Sequence, residues 1–116
     1  MTHMTLCRLE DIDDPGSKGF ELPWQGQTLA LLVVRRDGQV RAYRNRCPHT
    51  GVELNWQPDL FLGPEEQDIQ CSLHGARFRI DDGLCMHGPC LGQSLERLPV
   101  TVREGRILLD DGAGLT

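Results

Sequence analysis

Two short segments of this chain each combine a cysteine with a histidine. Cys47 and His49 are separated by one residue, and Cys71 and His74 are separated by two. Thiolate and imidazole are the ligands that zinc and iron–sulfur centres use. The four side chains are therefore candidate ligands of one metal centre, and no residue is predicted to be catalytic.

The order of the ligand types distinguishes two kinds of centre. Two cysteines and two histidines are a common tetrahedral set for structural zinc, but zinc fingers usually keep the cysteines in one pair and the histidines in the other. Here each segment mixes the two types, which favours a 2Fe–2S cluster because each loop can then reach both irons. A zinc-stabilised interaction module without a redox role is the alternative.

Further motifs connect the chain to a known family. The motifs are Cys47-x-His49, Cys71-x-x-His74-Gly75, Phe78 before an Asp-Gly turn, and Gly88-Pro89. With them the chain resembles the Rieske 2Fe–2S proteins, in their soluble ferredoxin-like branch. The resemblance implies one Rieske-type 2Fe–2S cluster, with Cys47 and Cys71 on one iron and His49 and His74 on the other.

The resemblance also implies a fold. It is an all-β Rieske (ISP-like) domain of antiparallel sheets, with a small cluster-binding subdomain inserted between strands. We expect residues 1–116 to form a single domain, with the cluster-binding subdomain at about residues 46–92. In the family, the loop that matches Gly88-Pro89 shields the cluster.

The expected ligand set determines the charge of the site. An oxidised 2Fe–2S core carries about two positive charges, which two thiolates cancel. Adding an electron to a neutral site costs less Coulomb energy than adding it to an anionic site with four thiolates. Potentials of roughly −150 to +300 mV are typical of such centres.

Residues beside the motifs place this chain within that range. High-potential Rieske proteins carry two more cysteines, which form a disulfide, at the positions of Val52 and Leu73. They also carry serine and tyrosine hydroxyls, which donate hydrogen bonds to sulfur, at the positions of Ala76 and Phe78. Because such donors stabilise the reduced cluster, the resemblance implies a potential near the low end, roughly −150 mV.

The implied function is electron transfer. A soluble protein of this type takes single electrons from a flavin-dependent reductase and passes them to a terminal oxygenase or another oxidoreductase, with His49 and His74 as the exit. It catalyses no bond-making step itself. A free-standing oxygenase also needs a mononuclear iron held by two histidines, and only His87 follows His74. The alternative is a small Rieske-like subunit of a larger redox enzyme, such as nitrite reductase.

Composition limits the partners and the location. The net charge is −5, from 17 acidic and 12 basic residues, which disfavours nucleic acid. There is no run of about 18 apolar residues, so no membrane span is expected. The N-terminus lacks a basic segment followed by an apolar one, which predicts a cytoplasmic location.

Three of the five cysteines lie outside the motifs, namely Cys7, Cys85 and Cys90. An odd number and a reducing compartment argue against a disulfide framework. Cys85 and Cys90 are close enough in sequence to be a rival ligand pair. Alternatively, they are small buried residues that pack beside the cluster.

The hydrophobic pattern predicts the strands that position the motifs. Residues 28–36 are apolar on both faces, as in a central strand, and Asp37-Gly38 predicts a hairpin to a strand at 39–44. Alternation at 76–80 predicts a strand with Ala76, Phe78 and Ile80 facing inward. Residues 98–103 and 106–110 predict a last hairpin. Weaker signals predict strands at 4–9 and 20–22 and a helical turn at 94–98.

Overall fold

The regular secondary structure of the described residues is almost entirely β-strand, as the sequence predicts. The computed structural model describes residues 3–24, 26–48, 54, 59, 61–63, 68–71, 75–88 and 90–110. Within these ranges the single helical element is a 3-10 turn at Leu9–Asp11, and no helix there is long and apolar enough to cross a membrane. The strands are β1 (His3–Arg8), β2 (Gly16–Trp24), β3 (Gln27–Arg36), β4 (Gln39–Arg44), β5 (Asp68–Gln70), β6 (Arg77–Arg79), β7 (Cys85–His87), β8 (Arg97–Leu98), β9 (Val100–Arg103) and β10 (Arg106–Asp110).

These strands form three antiparallel sheets. The base sheet has the order β1-β10-β9, the central sheet β2-β3-β4-β8, and the distal sheet β5-β6-β7. One buried core lies between the base and central sheets, and a second lies between the central and distal sheets. The chain leaves the central sheet after β4 and returns to it at β8, so the distal sheet is made from the intervening segment.

Strand β3 contributes side chains to both cores. Leu29, Leu31 and Val33 belong to the core on the base side, whereas Leu32 and Val34 belong to the core on the distal side. Because successive side chains of a strand point to opposite faces, an apolar run is what a strand between two cores requires. The prediction of a central strand here is confirmed.

The hairpin between β3 and β4 is also confirmed. Asp37 and Gly38 both have positive φ, 53° and 76°, which is the conformation of a type I′ turn. The Asp14 carboxylate accepts hydrogen bonds from the N–H groups of both residues, at 2.8 Å each. This side chain fixes the turn and thereby the register that carries β4 toward Cys47.

Two elements differ from the sequence prediction. Strand β2 has nine residues rather than three, because it pairs with β3 over its whole length as an edge strand, where Pro23 is tolerated. The helical turn predicted at 94–98 is wrong: Ser94 forms a bridge with Leu84, and β8 pairs with β4. In both segments the local sequence signal is weak, so pairing with a strand distant in sequence determines the conformation.

Tyr43 joins the central sheet to the distal side. Its buried hydroxyl donates a hydrogen bond of 2.6 Å to the Ile80 carbonyl. Burial raises the pKa of Tyr43 to about 12, although Arg97 and Arg41 oppose the increase. The folded state therefore favours the neutral phenol. This stabilisation is complete below the ordinary tyrosine pKa of about 10 and is lost as the pH rises toward about 12.

Alkaline titration tests this contact directly, since Tyr43 is the only tyrosine in the chain. The absorbance of the phenolate should therefore appear only at pH values well above 10. Tyr43→Phe should lower the free energy of unfolding by about 1 to 3 kcal/mol, because it leaves the Ile80 carbonyl unpaired, and should reduce the loss of stability between pH 10 and 12. A phenol that titrates near pH 10 in the folded protein would contradict the buried contact.

Candidate metal centre

The second cysteine–histidine motif falls in the sequence between β5 and β6, which pair as antiparallel strands. Cys71 directly follows β5, and its N–H donates to the carbonyl of Ala76 at 2.8 Å. The N–H of Gly75 donates back to the Cys71 carbonyl at 2.9 Å, and Gly75 has a φ of 69°, which glycine adopts without strain. These bonds close a tight loop and fix the backbone that carries the Cys71 thiol.

The first motif follows β4 and is positioned by Asn45. The N–H of this residue donates to the Ala30 carbonyl at 2.8 Å. Its buried side-chain oxygen accepts a hydrogen bond from the N–H of Leu54, also at 2.8 Å. Asn45 thus joins the two ends of the segment that begins with Cys47. Asn45 is the one buried polar residue in the part of the chain that the structure describes, and sequence reasoning missed its role.

The segment between the two motifs is attached to the edge strand β2. The Asp59 carboxylate accepts from the N–H of Gly19 at 2.8 Å, and the Ser17 hydroxyl donates to the Asp59 carbonyl at 2.7 Å. Phe61 packs against Gly19, where an added Cβ would lie 3.1 Å from the ring. Strand β2 is therefore longer than predicted because part of it anchors this segment.

The structure brings the two motif cysteines into one core. Cys47 is 1% exposed and Cys71 is fully buried, and both belong to the core between the central and distal sheets. His49 and His74 lie outside the described residues, as do Val52, Leu73 and Pro89. Two buried thiols in one core fit the soft donors that an iron–sulfur centre needs.

Cys85 and Cys90 lie in the same core as the motif cysteines. The Cys90 thiol donates to the Cys85 sulfur at 3.0 Å, and the Cys85 thiol donates to the His87 carbonyl at 3.3 Å. Burial and the hydrogen bond to Cys85 raise the pKa of Cys90 to about 12. Among the described side chains, no three from Cys, His, Asp and Glu are arranged to hold a metal ion, so the four thiols alone form no such site.

The loop around Gly88, called the third loop below, packs against Ala76, the residue that follows the second motif. Gly88 has a φ of 106°, and a Cβ added to it would lie 2.7 Å from the Cα of Ala76. That distance is too short for a non-bonded contact between two carbon atoms, so the close approach requires glycine. Ala76 in turn is hydrogen-bonded to Cys71, and the third loop is thereby held beside the motif loop.

Substitution of Gly88 tests this contact, and Gly92 provides a matched control. Gly92 also has a positive φ, 89°, but an added Cβ there meets nothing within 4 Å. Gly88→Ala should therefore lower the melting temperature and the iron content more than Gly92→Ala does, since only the first adds a clash to the backbone strain of more than about 1 kcal/mol. Equal losses in the two variants would show that the packing on Ala76 is unimportant.

The two positions where the resemblance places sulfur-directed hydroxyls in high-potential proteins are apolar in this chain. Ala76 and Phe78 are fully buried, and neither side chain has a hydroxyl. Together with Ile80 they face the core on the distal side, which confirms the predicted inward face. Strand β6 therefore packs in the site's core without offering a side-chain hydrogen-bond donor from these positions.

Comparisons with known proteins agree with this arrangement. Residues 2–103 match the Rieske [2Fe-2S] domain family. The ferredoxin component of the p-cumate 2,3-dioxygenase system of Pseudomonas putida is 32% identical over 108 residues, which are 93% of this chain and 85% of that protein. The ferredoxin of carbazole 1,9a-dioxygenase from Nocardioides aromaticivorans IC177 is 25% identical, with a TM-score of 0.75, over 94% of this chain and 97% of that chain.

A further solved structure is a complex of reduced oxygenase and oxidised ferredoxin in carbazole 1,9a-dioxygenase. The matched chain is 22% identical, with a TM-score of 0.71, over 92% of this chain and 91% of its own length. The all-β antiparallel fold is thus shared along almost the whole chain, and a domain of this type carries one Rieske-type 2Fe–2S cluster. The chain belongs to the Rieske [2Fe-2S] domain family.

Proposed function

We propose that this chain is the ferredoxin component of an oxygenase system and carries single electrons from a flavin-dependent reductase to a terminal oxygenase. The observation that carries the proposal is the match along nearly the full length of a dioxygenase ferredoxin component, at 93% of this chain and 85% of that protein. The matched relative is the ferredoxin component of its system, so the match supports an electron-carrying role for the same region of this chain. The function that we propose for this domain is therefore electron transfer and not catalysis.

The proposed ligands are Cys47 and Cys71 for one iron and His49 and His74 for the other. Support comes from the two thiols, which are buried in one core. Backbone hydrogen bonds fix Cys71, and the Asn45 side chain joins the ends of the segment that contains Cys47. When bound, a Rieske-type 2Fe–2S cluster takes up and releases one electron at a time. The chain's own contribution is to hold the two thiols in fixed loops and to keep them away from water.

The proposed organisation is one domain with a cluster-binding subdomain at about residues 46–92. The path of the chain supports it, because the distal sheet lies entirely between β4 and β8. The base and central sheets then provide a support on which both motif loops are fixed. The cytoplasmic location stays a prediction from the sequence.

A role as a small accessory subunit of a larger redox enzyme is the second candidate. The two roles differ in how long the partner stays bound, since an electron carrier must leave each partner after transfer. Native purification distinguishes them. A monomeric iron–sulfur protein supports the carrier, whereas constant co-purification with one large subunit at fixed stoichiometry supports the accessory role.

Exposed apolar residues indicate where a redox partner docks. Met86 and Leu91 are 44% and 68% exposed, and both lie on or beside the third loop. The same region packs against Ala76 through Gly88, so it is adjacent to the second motif. A small apolar surface next to a redox site suits a brief encounter with a partner.

Leu91→Glu tests this docking surface. Val102, 43% exposed on β9 of the base sheet, allows the same substitution far from the motifs. We expect Leu91→Glu to slow electron transfer from the dithionite-reduced protein to a Rieske oxygenase by about tenfold, since a central apolar contact is worth more than about 1 kcal/mol. Val102→Glu should leave the rate unchanged.

The measurement is stopped-flow absorbance with the oxygenase component of the p-cumate system as acceptor, together with the midpoint potential of each variant. No transfer from the unmodified protein to any oxygenase would contradict the proposed function. Equal slowing by both variants would instead contradict only the docking surface. A variant whose potential has shifted is compared at equal driving force.

A further inference from the structure

Two thiols near the metal centre have no role in the electron-carrier function. Cys85 and Cys90 are both 1% exposed, and their sulfur atoms are 3.0 Å apart. Neither is one of the proposed cluster ligands Cys47 and Cys71. A pair of contacting thiols is chemically different from two isolated buried cysteines, because one oxidation step can join them.

The backbone holds the two residues opposite each other. The N–H of Cys85 donates to the Gln93 carbonyl at 2.7 Å, and the Gly92 N–H donates to the Cys85 carbonyl at 3.3 Å. The N–H of Gln93 donates to the Cys90 carbonyl at 2.9 Å. Residues 85–93 therefore form a closed turn in the thiol state. Only a movement of about 1 Å separates the sulfurs from the bonded distance of a disulfide.

From this geometry we propose that Cys85 and Cys90 form a reversible disulfide by exchange with a small-molecule disulfide such as oxidised glutathione. The thiolate of one cysteine attacks the glutathione disulfide, forms a mixed disulfide and releases one glutathione thiolate. The second cysteine then attacks the mixed disulfide and releases the other. The protein loses two thiol protons and two electrons, and these protons and electrons are found in the two molecules of reduced glutathione that form.

The disulfide has a defined consequence for the third loop. It replaces the hydrogen bonds that the two thiols make, from Cys90 to Cys85 and from Cys85 to the His87 carbonyl, by a covalent link across Gly88. Because Gly88 packs on Ala76 beside the second motif, the oxidised pair fixes the loop next to the metal centre. The inference rests on the thiol pair alone and holds whichever protein accepts the electron.

Access to the buried thiols limits the rate of exchange. The neighbouring residues Met86, His87 and Leu91 are exposed, so the turn lies at the surface although its thiols point inward. Local opening of this turn exposes the sulfurs to a small reagent. Oxidation is therefore expected to be slower than that of an exposed thiol and to reverse with dithiothreitol.

The test uses the natively purified, cluster-containing protein and reads out the thiols by mass spectrometry. The protein is incubated without oxygen in oxidised glutathione, quenched in acid, alkylated under denaturing conditions and digested with trypsin. Residues 80–97 form one tryptic peptide with Cys85 and Cys90 as its cysteines, whereas Cys47 and Cys71 share the peptide 47–77. Visible absorbance shows that the cluster stays bound during oxidation.

We expect peptide 80–97 to lose both alkylation sites and to become two hydrogens lighter, and dithiothreitol to restore them. Cys7→Ser should leave this result unchanged, and Cys90→Ser should abolish it. Three results would overturn the proposal while the cluster remains bound: peptide 80–97 keeping two alkylated cysteines after oxidation, glutathione remaining attached to either cysteine, or a cross-link between peptides 80–97 and 47–77.

Discussion

Replacing Cys47 or Cys71 by serine is expected to abolish iron and sulfide binding, whereas the same change at Cys85 or Cys90 leaves the metal content nearly unchanged. Both pairs are buried in the same core, so burial alone does not separate ligands from neighbours. The proposed ligand set separates them, because the family resemblance places Cys47 and Cys71 on the cluster and gives Cys85 and Cys90 no such role. Cys90 and Cys85 use their thiol protons within the third loop, and a metal ligand must lose that proton.

The size of the effect follows from the coupling between metal binding and folding. Because the metal site exists only in the folded chain, the free energy of metal binding adds to the stability of the fold. Serine at Cys71 keeps the backbone hydrogen bonds of this loop, so the lower melting temperature that we expect, together with a colourless protein, comes from loss of the cluster. Serine at Cys90 removes one weak sulfur hydrogen bond and places a hydroxyl in the core, which should cost about 1 to 3 kcal/mol where that hydroxyl has no partner.

The measurement is iron and acid-labile sulfide per chain, combined with the electron paramagnetic resonance spectrum of the dithionite-reduced protein. A spin-half signal with the low average g value of a mixed histidine–cysteine centre should appear in the unmodified protein and in the Cys90→Ser and Cys85→Ser variants. Stoichiometric zinc without iron would support the zinc module instead. Loss of iron on changing Cys85 or Cys90 alone would make that pair the ligands.

The same core shows why the sequence predicts some parts of the fold better than others. Strand β3 and the Asp37-Gly38 hairpin carry strong local signals, an apolar run on both faces and a turn that needs positive φ. Both are found where they are predicted. The inward face of β6 is also correct, since Ala76, Phe78 and Ile80 alternate with charged residues.

Other parts depend on contacts that no local pattern contains. Strand β2 extends beyond its apolar residues because one partner strand and Asp59 bind its backbone. Strand β7 has three residues, and its first, Cys85, pairs with Phe78. The Asn45 side chain meets Leu54 across nine residues. In each case the partner is distant in sequence or irregular in structure, so periodicity gives no signal.

The proposed ligands could be named from the sequence because they are defined by residue type and spacing rather than by conformation. The sequence also left the role of Cys85 and Cys90 open between ligands and packing residues. The structure favours packing, because the two thiols make hydrogen bonds to each other and to the loop backbone. Spacing in sequence could not have distinguished these cases, since a thiol five residues from another can face toward it or away from it.

The cluster of this protein is expected to have a low midpoint potential. The unmodified protein should have a potential near the low end of the Rieske range, roughly −150 mV. Ala76 and Phe78 are buried beside Cys71 in the same core and bring no hydroxyl. Because hydrogen bonds to sulfur stabilise the reduced state, their absence at these positions lowers the potential.

Restoring the hydroxyls should raise the potential. Ala76→Ser and Phe78→Tyr each add one donor within the core that contains Cys71. A hydrogen bond that is stronger by about 1.4 kcal/mol in the reduced state raises a one-electron potential by about 59 mV, so the double variant should shift by roughly twice that value. Phe78→Leu, which changes packing without adding a hydroxyl, is the matched control for the tyrosine.

Dye-mediated titration under anaerobic conditions measures each potential, and iron content shows that the variants keep the cluster. The tyrosine hydroxyl must find a partner in a core where Phe78 is fully buried, because an unpaired one costs about 1 to 3 kcal/mol of stability. A rise in potential together with unchanged stability would therefore show that the hydroxyl has found an acceptor at the site. An unmodified potential well above zero would require another donor to sulfur, and an equal shift in Phe78→Leu would assign the effect to packing alone.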